Sequence, residues 1–470
     1  MNKTRAITIV IFGATGDLTK RKLIPALFAL HNEHRIKDFQ IIAVGRREFT
    51  DQKFRDHVKP STAKDWINFS KNITYHKLEF TNTKEYALLT KKLSFCTNIA
   101  FYFATAPEYF SIIAEQLRKH KLTNESIGWR RVIIEKPFGN NLLTAQALNT
   151  ALTKAFSEEQ IYRIDHYLGK EFVQNILVLR FTNTILDHLW HKHIIDHVQI
   201  TVSQKDGIGT RAGYYDNAGA ARDFFQSHIL QLIALVAMEP PGSLTAEAIR
   251  NEKMKVLEAL EYAGVLDEST VRGQYAAGIV DAKKAIGYIA EANVPKQSRT
   301  ETFVAAKLAL NNFRFAGVPF YVRTGKRTTD VADIHIVLKD LPCLLFCALP
   351  TAKTRSNVLT ISIQPKQGIA LRLNGRSTGH TLGVQPVKLE YCQNCTFGST
   401  PEAYELLFAD IIRGDHTLFT SWEEVKRSWQ ITDKLHEHWK KNKNLPLYPA
   451  GSSGPKEADI LIEQDGRRWI

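Results

Sequence analysis

An α/β fold for the N-terminal part of the chain is predicted by two observations. Residues 7–12 (ITIVIF) are a short β-branched run of the kind that forms a buried parallel strand. The turn Gly13-Ala14-Thr15-Gly16 leads from that run into a helical pattern over residues 20–30. A third observation bounds the remainder: 470 residues exceed one ordinary core, which predicts about two or three domains. At 44% hydrophobic residues the chain can bury a large interior and does not read as disordered.

Each N-terminal element has a chemical reading. Glycines at the first turn let backbone N–H groups approach a pyrophosphate lying against the positive end of the following helix. The spacing is G-x-x-G, shorter than the full dinucleotide fingerprint, so a turn with no ligand remains the alternative. The second strand, residues 40–44, ends at Gly45-Arg46-Arg47. An acidic residue there would hold the ribose hydroxyls of NAD, whereas an arginine favours the 2′-phosphate of NADP. Strands at 99–104 and 132–134 follow, and the latter runs into Glu135-Lys136-Pro137. That places Lys136 at the carboxyl edge of the sheet, where open α/β folds bind ligands, with Pro137 holding it extended.

The densest cluster of chemistry is Arg163-Ile164-Asp165-His166-Tyr167-Leu168-Gly169-Lys170. An acid, a histidine, a tyrosine and a lysine around a glycine suit a site that binds an anion and handles protons. The plain alternative is that Asp165 caps the following helix. The octapeptide resembles the signature of the glucose-6-phosphate dehydrogenase family, and GATGDLTKRKL (13–23) with Arg46 beyond it resembles that family's coenzyme site. The resemblance implies cofactor contacts from Gly13, Thr15, Gly16, Asp17, Leu18, Lys22 and Arg46. It also implies that Lys136 meets both cofactor and substrate. Lys22 equally suits an exposed helix position.

Past the octapeptide, residues 171–181 have helical spacing and 197–203 alternate like a strand. A helix over about 218–238 is apolar on nearly all sides, so Asp223, His228 and Gln231 within it are costly unless hydrogen-bonded. A lone buried histidine usually reads as a satisfied core residue. Here DFFQSHILQ (223–231) resembles the family segment holding the catalytic base. Oxidising a sugar hemiacetal at C1 requires removing the hydroxyl proton as hydride leaves, and a neutral imidazole can accept that proton near neutral pH. His228 is therefore assigned as general base with Asp165 as the carboxylate that orients it. His166, Tyr167, Lys170, Lys136, Gln204, Asp223 and Lys326 are assigned to the sugar phosphate. Further family-like segments are RAGYYD (211–216), GVPFYVRTGKR (317–327), AYE at Tyr404, and YPAGSSGP (448–455).

The implied fold is an α/β Rossmann-type N-terminal domain plus a larger α+β C-terminal domain with an extensive, mostly antiparallel sheet. Alternation at 358–363 and 369–373 agrees with such a sheet. The division is expected near residue 165, giving an NADP-binding domain (1–165) and a substrate-binding and dimerisation domain (166–470). The resemblance implies a homodimer or homotetramer.

Charge and cysteines exclude more than they establish. Lys plus Arg outnumber Asp plus Glu by 62 to 48, yet no basic block with interleaved aromatics points to nucleic acid. Cys343 with Cys347 and Cys392 with Cys395 are too sparse for a structural zinc site, so no metal and free thiols are expected. No apolar run approaches the roughly 20 residues that span a bilayer, and the first strand begins too early for a signal peptide. A cytoplasmic protein is expected.

Three departures from the family pattern concern the substrate pocket. The family glutamate seven residues before Arg211 is Gln204 here, which loses a charge. The second cation usual about five residues after Lys326 is missing, the chain reading Arg327-Thr328-Thr329-Asp330-Val331. That loss would weaken phosphate binding by about 1.5–3 kcal/mol unless Arg327 substitutes. Ser227 replaces the usual asparagine before His228. The leading expectation is an NADP-dependent oxidation of glucose 6-phosphate at C1, giving 6-phosphogluconolactone at the entry to the pentose phosphate pathway. The alternatives are a dehydrogenase for a related aldose or sugar phosphate, and a non-catalytic or weakly active NADP-binding homologue.

Overall fold

The computed structural model describes residues 6–61, 64–342, 345–346, 353–379, 382–398 and 401–470. Its contacts divide the chain into two units. The first comprises residues 1–170 with two returning segments, 243–250 and 401–426; the second comprises 171–242, 251–400 and 427–470. The linear division expected near residue 165 contains neither return.

The first unit is built on six parallel strands: β1 (Ile7–Phe12), β2 (Phe39–Gly45), β3 (Ile73–Lys77), β4 (Asn98–Phe103), β5 (Arg130–Ile134) and β6 (Ile161–Ile164). Their spatial order is β3-β2-β1-β4-β5-β6, with Phe419–Thr420 added antiparallel outside β6. The order reverses direction between β1 and β4, which opens the crevice where such sheets bind dinucleotides. Nearly every residue of β1, β2 and β4 is buried, as the β-branched runs predict for strands covered on both faces. After β1 the helix is wide over Thr19–Leu23 and becomes α-helical at Ile24–Asn32. The cause is Pro25, which cannot donate to the carbonyl four residues back and displaces it; the Ile24 N–H reaches Thr19 instead.

The returning segment 401–426 holds its place through specific contacts within this unit. Helix Ala403–Arg413 ends at Gly414 in the left-handed region (φ 85), the usual helix stop. Its last carbonyls, Ile411 and Ile412, accept from the Arg131 guanidinium on β5. Arg163, the first residue of the octapeptide, is buried and grips Glu158 at 2.6 and 2.9 Å and Asn149 at 2.6 Å. Its part is to hold the sheet edge.

The second unit carries a ten-stranded mixed sheet. Ile195–Gln204 lies at its centre, parallel to Phe320–Lys326 and antiparallel to Ala332–Leu338. Val358–Gln364, Gly368–Arg376 and Val384–Cys392 extend it by antiparallel pairing, so the expectation of a mostly antiparallel sheet is met. The expected helix over 218–238 differs in detail. Gly219 (φ 67) breaks it, a wide turn runs over Ala221–Ile229, and a regular helix over Leu230–Ala237, buried on every side, completes it.

Cys392 and Cys395 form a disulfide with Cα atoms 5.3 Å apart, which corrects the free-thiol expectation for this pair. The short helix Gln393–Phe397 at the end of the edge strand brings the two residues within bonding range. Cys343 and Cys347 lie outside the described residues.

Three histidines, His335 buried and His416 and His436 half-buried, contribute to the acid sensitivity of the fold. Burial pushes His335 and His416 down to about 4 and His436 to about 3. Their neutral forms suit the folded state, while the unfolded chain takes up protons at about 6.5. Their contribution to stability is therefore complete above about pH 6.5 and falls as the pH drops toward 4. The slope approaches about 4 kcal/mol per pH unit when all three contribute. Denaturant melts at pH 7, 6 and 5 check this, and a flat midpoint across that series rules it out.

Candidate active site

The first unit offers a coenzyme crevice at the carboxyl ends of β1, β2 and β4. Gly13 has φ 82, and a Cβ there would collide with the Ala104 carbonyl just past β4. A glycine is therefore obligatory where the strands approach. The Gly13 and Ala14 N–H groups bond Val44 at 2.9 and 3.0 Å, and the Gly16 N–H bonds Gly13 at 3.0 Å. Asp17 is tied to Arg21 (2.7 Å) and Lys22 to Glu402 (2.6 Å), both at the surface. Arg46 follows β2 directly. Its guanidinium donates to the Tyr109 hydroxyl at 3.1 Å and lies over that ring, 5.3 Å from the centroid. The aromatic side steers an exposed cation. These residues fit a pyrophosphate and an extra phosphate at the second strand.

At the end of β5, Glu135 receives the Tyr102 hydroxyl at 2.5 Å and the Tyr404 hydroxyl at 2.9 Å. Burial raises its carboxyl pKa, against the two tyrosine hydrogen bonds and the Lys136 charge. The Lys136 backbone thus starts from a clamped residue. Glu135 and Tyr404 stand out in the sequence only through the EKP and AYE segments, and Tyr102, inside an apolar strand, gives no signal at all.

Asp165 follows β6 and is 2% exposed. One carboxylate oxygen accepts the Tyr167 N–H at 2.9 Å and its carbonyl accepts the Leu168 N–H at 3.0 Å. It therefore organises the turn of the octapeptide and does not cap the following helix, which begins only at Glu171. Lys170 sits over the buried Tyr167 ring with Nζ 4.0 Å from the centroid, and His166 meets the same ring edge-on at 5.4 Å. Asp165, His166, Tyr167 and Lys170 are thus gathered on one compact turn.

The second unit gathers another set. His228 is fully buried, its ring 5.1 Å from that of Phe224. Asp223 is 4% exposed and accepts the Tyr214 hydroxyl at 3.2 Å. Ser227 is turned back onto the Asp223 carbonyl at 3.3 Å. Gln231 is satisfied by the buried Lys253 ammonium at 3.0 Å. Tyr214 lies within RAGYYD, and its bond to Asp223, nine residues on, is visible only in the fold.

Lys326 and Gln204 are cross-strand partners in the parallel pair and are hydrogen-bonded, the amide oxygen accepting from the ammonium. The amide keeps the contact a carboxylate would make but does not neutralise the lysine. The Lys326 ammonium also stands 5.5 Å from the Tyr215 and Phe224 ring centroids. Arg327, the cation next to Lys326, faces Glu291 at 3.3 Å, so its charge is shared with a carboxylate.

Known proteins match this chain over its length. Residues 10–175 match the family described as "Glucose-6-phosphate dehydrogenase, NAD binding domain" and residues 177–470 its "C-terminal domain". A glucose-6-phosphate 1-dehydrogenase of Bacillus subtilis (strain 168) is 46% identical, with 100% of this chain and 99% of that protein aligned. One of Chlamydia pneumoniae is 45% identical over 98% of this chain and 95% of that protein. A solved glucose-6-phosphate dehydrogenase in complex with its substrate glucose-6-phosphate superposes with a TM-score of 0.90, at 32% identity and 99% coverage of both chains.

Proposed function

The chain belongs to the glucose-6-phosphate dehydrogenase family, and from that premise we propose the roles its residues play. It is an NADP-dependent glucose-6-phosphate 1-dehydrogenase, an oxidoreductase of carbohydrate metabolism. The observation that carries this is identity of 46% to such an enzyme across the whole chain.

Gly13, Thr15, Gly16, Asp17, Leu18 and Lys22 hold the coenzyme diphosphate and Arg46 its 2′-phosphate; NADP supplies the hydride acceptor when bound. Lys136 serves both coenzyme and sugar. His166, Tyr167, Lys170 and Lys326 bind the phosphate and neighbouring oxygens, while Gln204 and Asp223 hydrogen-bond sugar hydroxyls. His228 takes the C1 hydroxyl proton, and Asp165 is assigned as the carboxylate that holds the imidazole in the receiving tautomer.

No helix among the described residues is long and apolar enough to cross a membrane. We place the enzyme in the cytoplasm as a homodimer or homotetramer. The edge strand Val384–Cys392 supports self-association, since Val387, Leu389 and Tyr391 are 39%, 56% and 40% exposed.

The engaged Arg327 keeps a second substrate in play. The deciding assay follows NADP reduction with glucose 6-phosphate, glucose and galactose 6-phosphate in parallel. Reduction selective for glucose 6-phosphate is expected. Faster reduction with another sugar would move the assignment to that sugar, and none with any, beside NADP binding by calorimetry, would leave a binding protein.

A further inference from the structure

Beyond the residues assigned above, one buried carboxylate meets the backbone at the start of the segment that carries Asp223 and His228. Residues 298–302 cross the start of the segment that carries Asp223 and His228. Ser298 bonds the Asp216 carboxylate, and the Thr300 hydroxyl donates to the Asp216 carbonyl at 2.6 Å. The Glu301 carbonyl accepts the Ala220 N–H at 3.0 Å, and its carboxylate accepts the Ala221 N–H at 3.1 Å. Glu301 is 5% exposed. A Cβ at Gly219 would collide with its carboxylate, so the kink and the acid are fitted to each other. The next residue continues the tie: the Thr302 carbonyl accepts the Lys326 N–H at 2.9 Å, and the Tyr448 hydroxyl bonds the carbonyls of both Thr302 and Lys326 at 3.2 and 2.7 Å.

This arrangement exceeds what burial alone requires. The first N–H groups of a helix lack partners and are usually met by a serine, threonine or asparagine at low cost. A buried carboxylate is far more expensive to desolvate, and here it stands near the charges of Arg222 and Arg272. What it secures is register. Asp223 and His228 are five residues apart within the wide turn Ala221–Ile229. In such a turn residues i and i+5 share a face, whereas a regular α-helix would set them about 140° apart. A start displaced by one residue would rotate both side chains away from their places.

We propose that Glu301 is a positioning residue for the reaction: it fixes the start of the Asp223–His228 segment and ties that segment to the strand bearing Lys326. The proposal rests on His228 being the base. It predicts a loss in turnover that a purely structural acid would not cause. Glu301→Ala leaves the Ala221 N–H unmet and is expected to lower kcat by about tenfold to a hundredfold, the scale of a misplaced catalytic group. KM for NADP should stay within about twofold, because none of the residues assigned to the coenzyme lies on this segment. Glu301→Gln keeps an acceptor oxygen and should return kcat to within about threefold of wild type. In Glu301→Ala/His228→Asn the losses should not add, since the carboxylate acts through the imidazole.

Steady-state kinetics on wild type, Glu301→Ala, Glu301→Gln, His228→Asn and the double variant, each checked for a cooperative thermal transition, decide the matter. A folded Glu301→Ala with wild-type kcat, or a Glu301→Gln as slow as Glu301→Ala, overturns the positioning role. Where Glu301→Ala does not fold, Glu301→Asp replaces it: the charge stays but the reach shortens, and wild-type kcat again overturns the proposal. The two readings fail separately. A slow His228→Asn beside a wild-type-like Glu301→Ala removes only the positioning role, while a wild-type-like His228→Asn removes the base.

Discussion

His228→Asn lowers kcat by about 10²–10⁴-fold, the usual contribution of general-base assistance, and leaves KM for glucose 6-phosphate within a few-fold. The size follows from what the imidazole does. It accepts a proton in the transition state, and asparagine, of similar bulk, cannot. The change also suits a site with no room to spare. His228 is fully buried against Phe224, so a large truncation would leave a cavity costing several kcal/mol and confuse lost chemistry with lost packing. Asparagine limits that cavity and still offers a hydrogen-bonding amide. If kcat falls while KM holds, the lost interaction is one made chiefly in the transition state. Stopped-flow or steady-state NADP reduction reads this directly, and turnover near wild type would take His228 out of the mechanism.

The same histidine shows how far sequence carries. Its burial was legible from the all-round apolar pattern of 218–238, and its role only through the likeness of DFFQSHILQ to a known family. The local geometry was not legible. Nothing in a 3.6-residue period announces the kink at Gly219 or the wide turn after it, and the backbone there is met by Glu301, 80 residues downstream. The parallel strands of the first unit were readable because burial on both faces leaves a continuous apolar run. The return of residues 401–426 was not, since its anchors are single long-range bonds such as Arg131 to the helix end at Ile412. Arg163 lies in the same octapeptide as Asp165, His166, Tyr167 and Lys170, yet it is spent on Glu158 and Asn149. Charge identifies a candidate; only the fold tells which charges are already engaged.

Arg46 is the test of coenzyme choice. Arg46→Ala is expected to raise KM for NADP by about 10- to 100-fold while moving KM for NAD by no more than about threefold. A charge-assisted contact to a phosphate contributes about 1.5–3 kcal/mol, which sets that range. Both coenzymes share the adenine, ribose and diphosphate, so damage to the crevice would act on them equally. Only a group that reads the 2′-phosphate separates the two. Arg46 has competing work: it bonds the Tyr109 hydroxyl and lies over its ring. At an exposed position that stacking is worth about 0.5–1 kcal/mol, less than the phosphate contact, and its loss would be felt with either coenzyme. The difference between NADP and NAD therefore outweighs the common term. Arg46→Lys sharpens the test, since it keeps the charge but loses the planar fork, and should fall between wild type and alanine. Equal effects on both coenzymes would mean that Arg46 braces the crevice through Tyr109, and the 2′-phosphate would then have to be read by another cation, with Arg47 next along the chain.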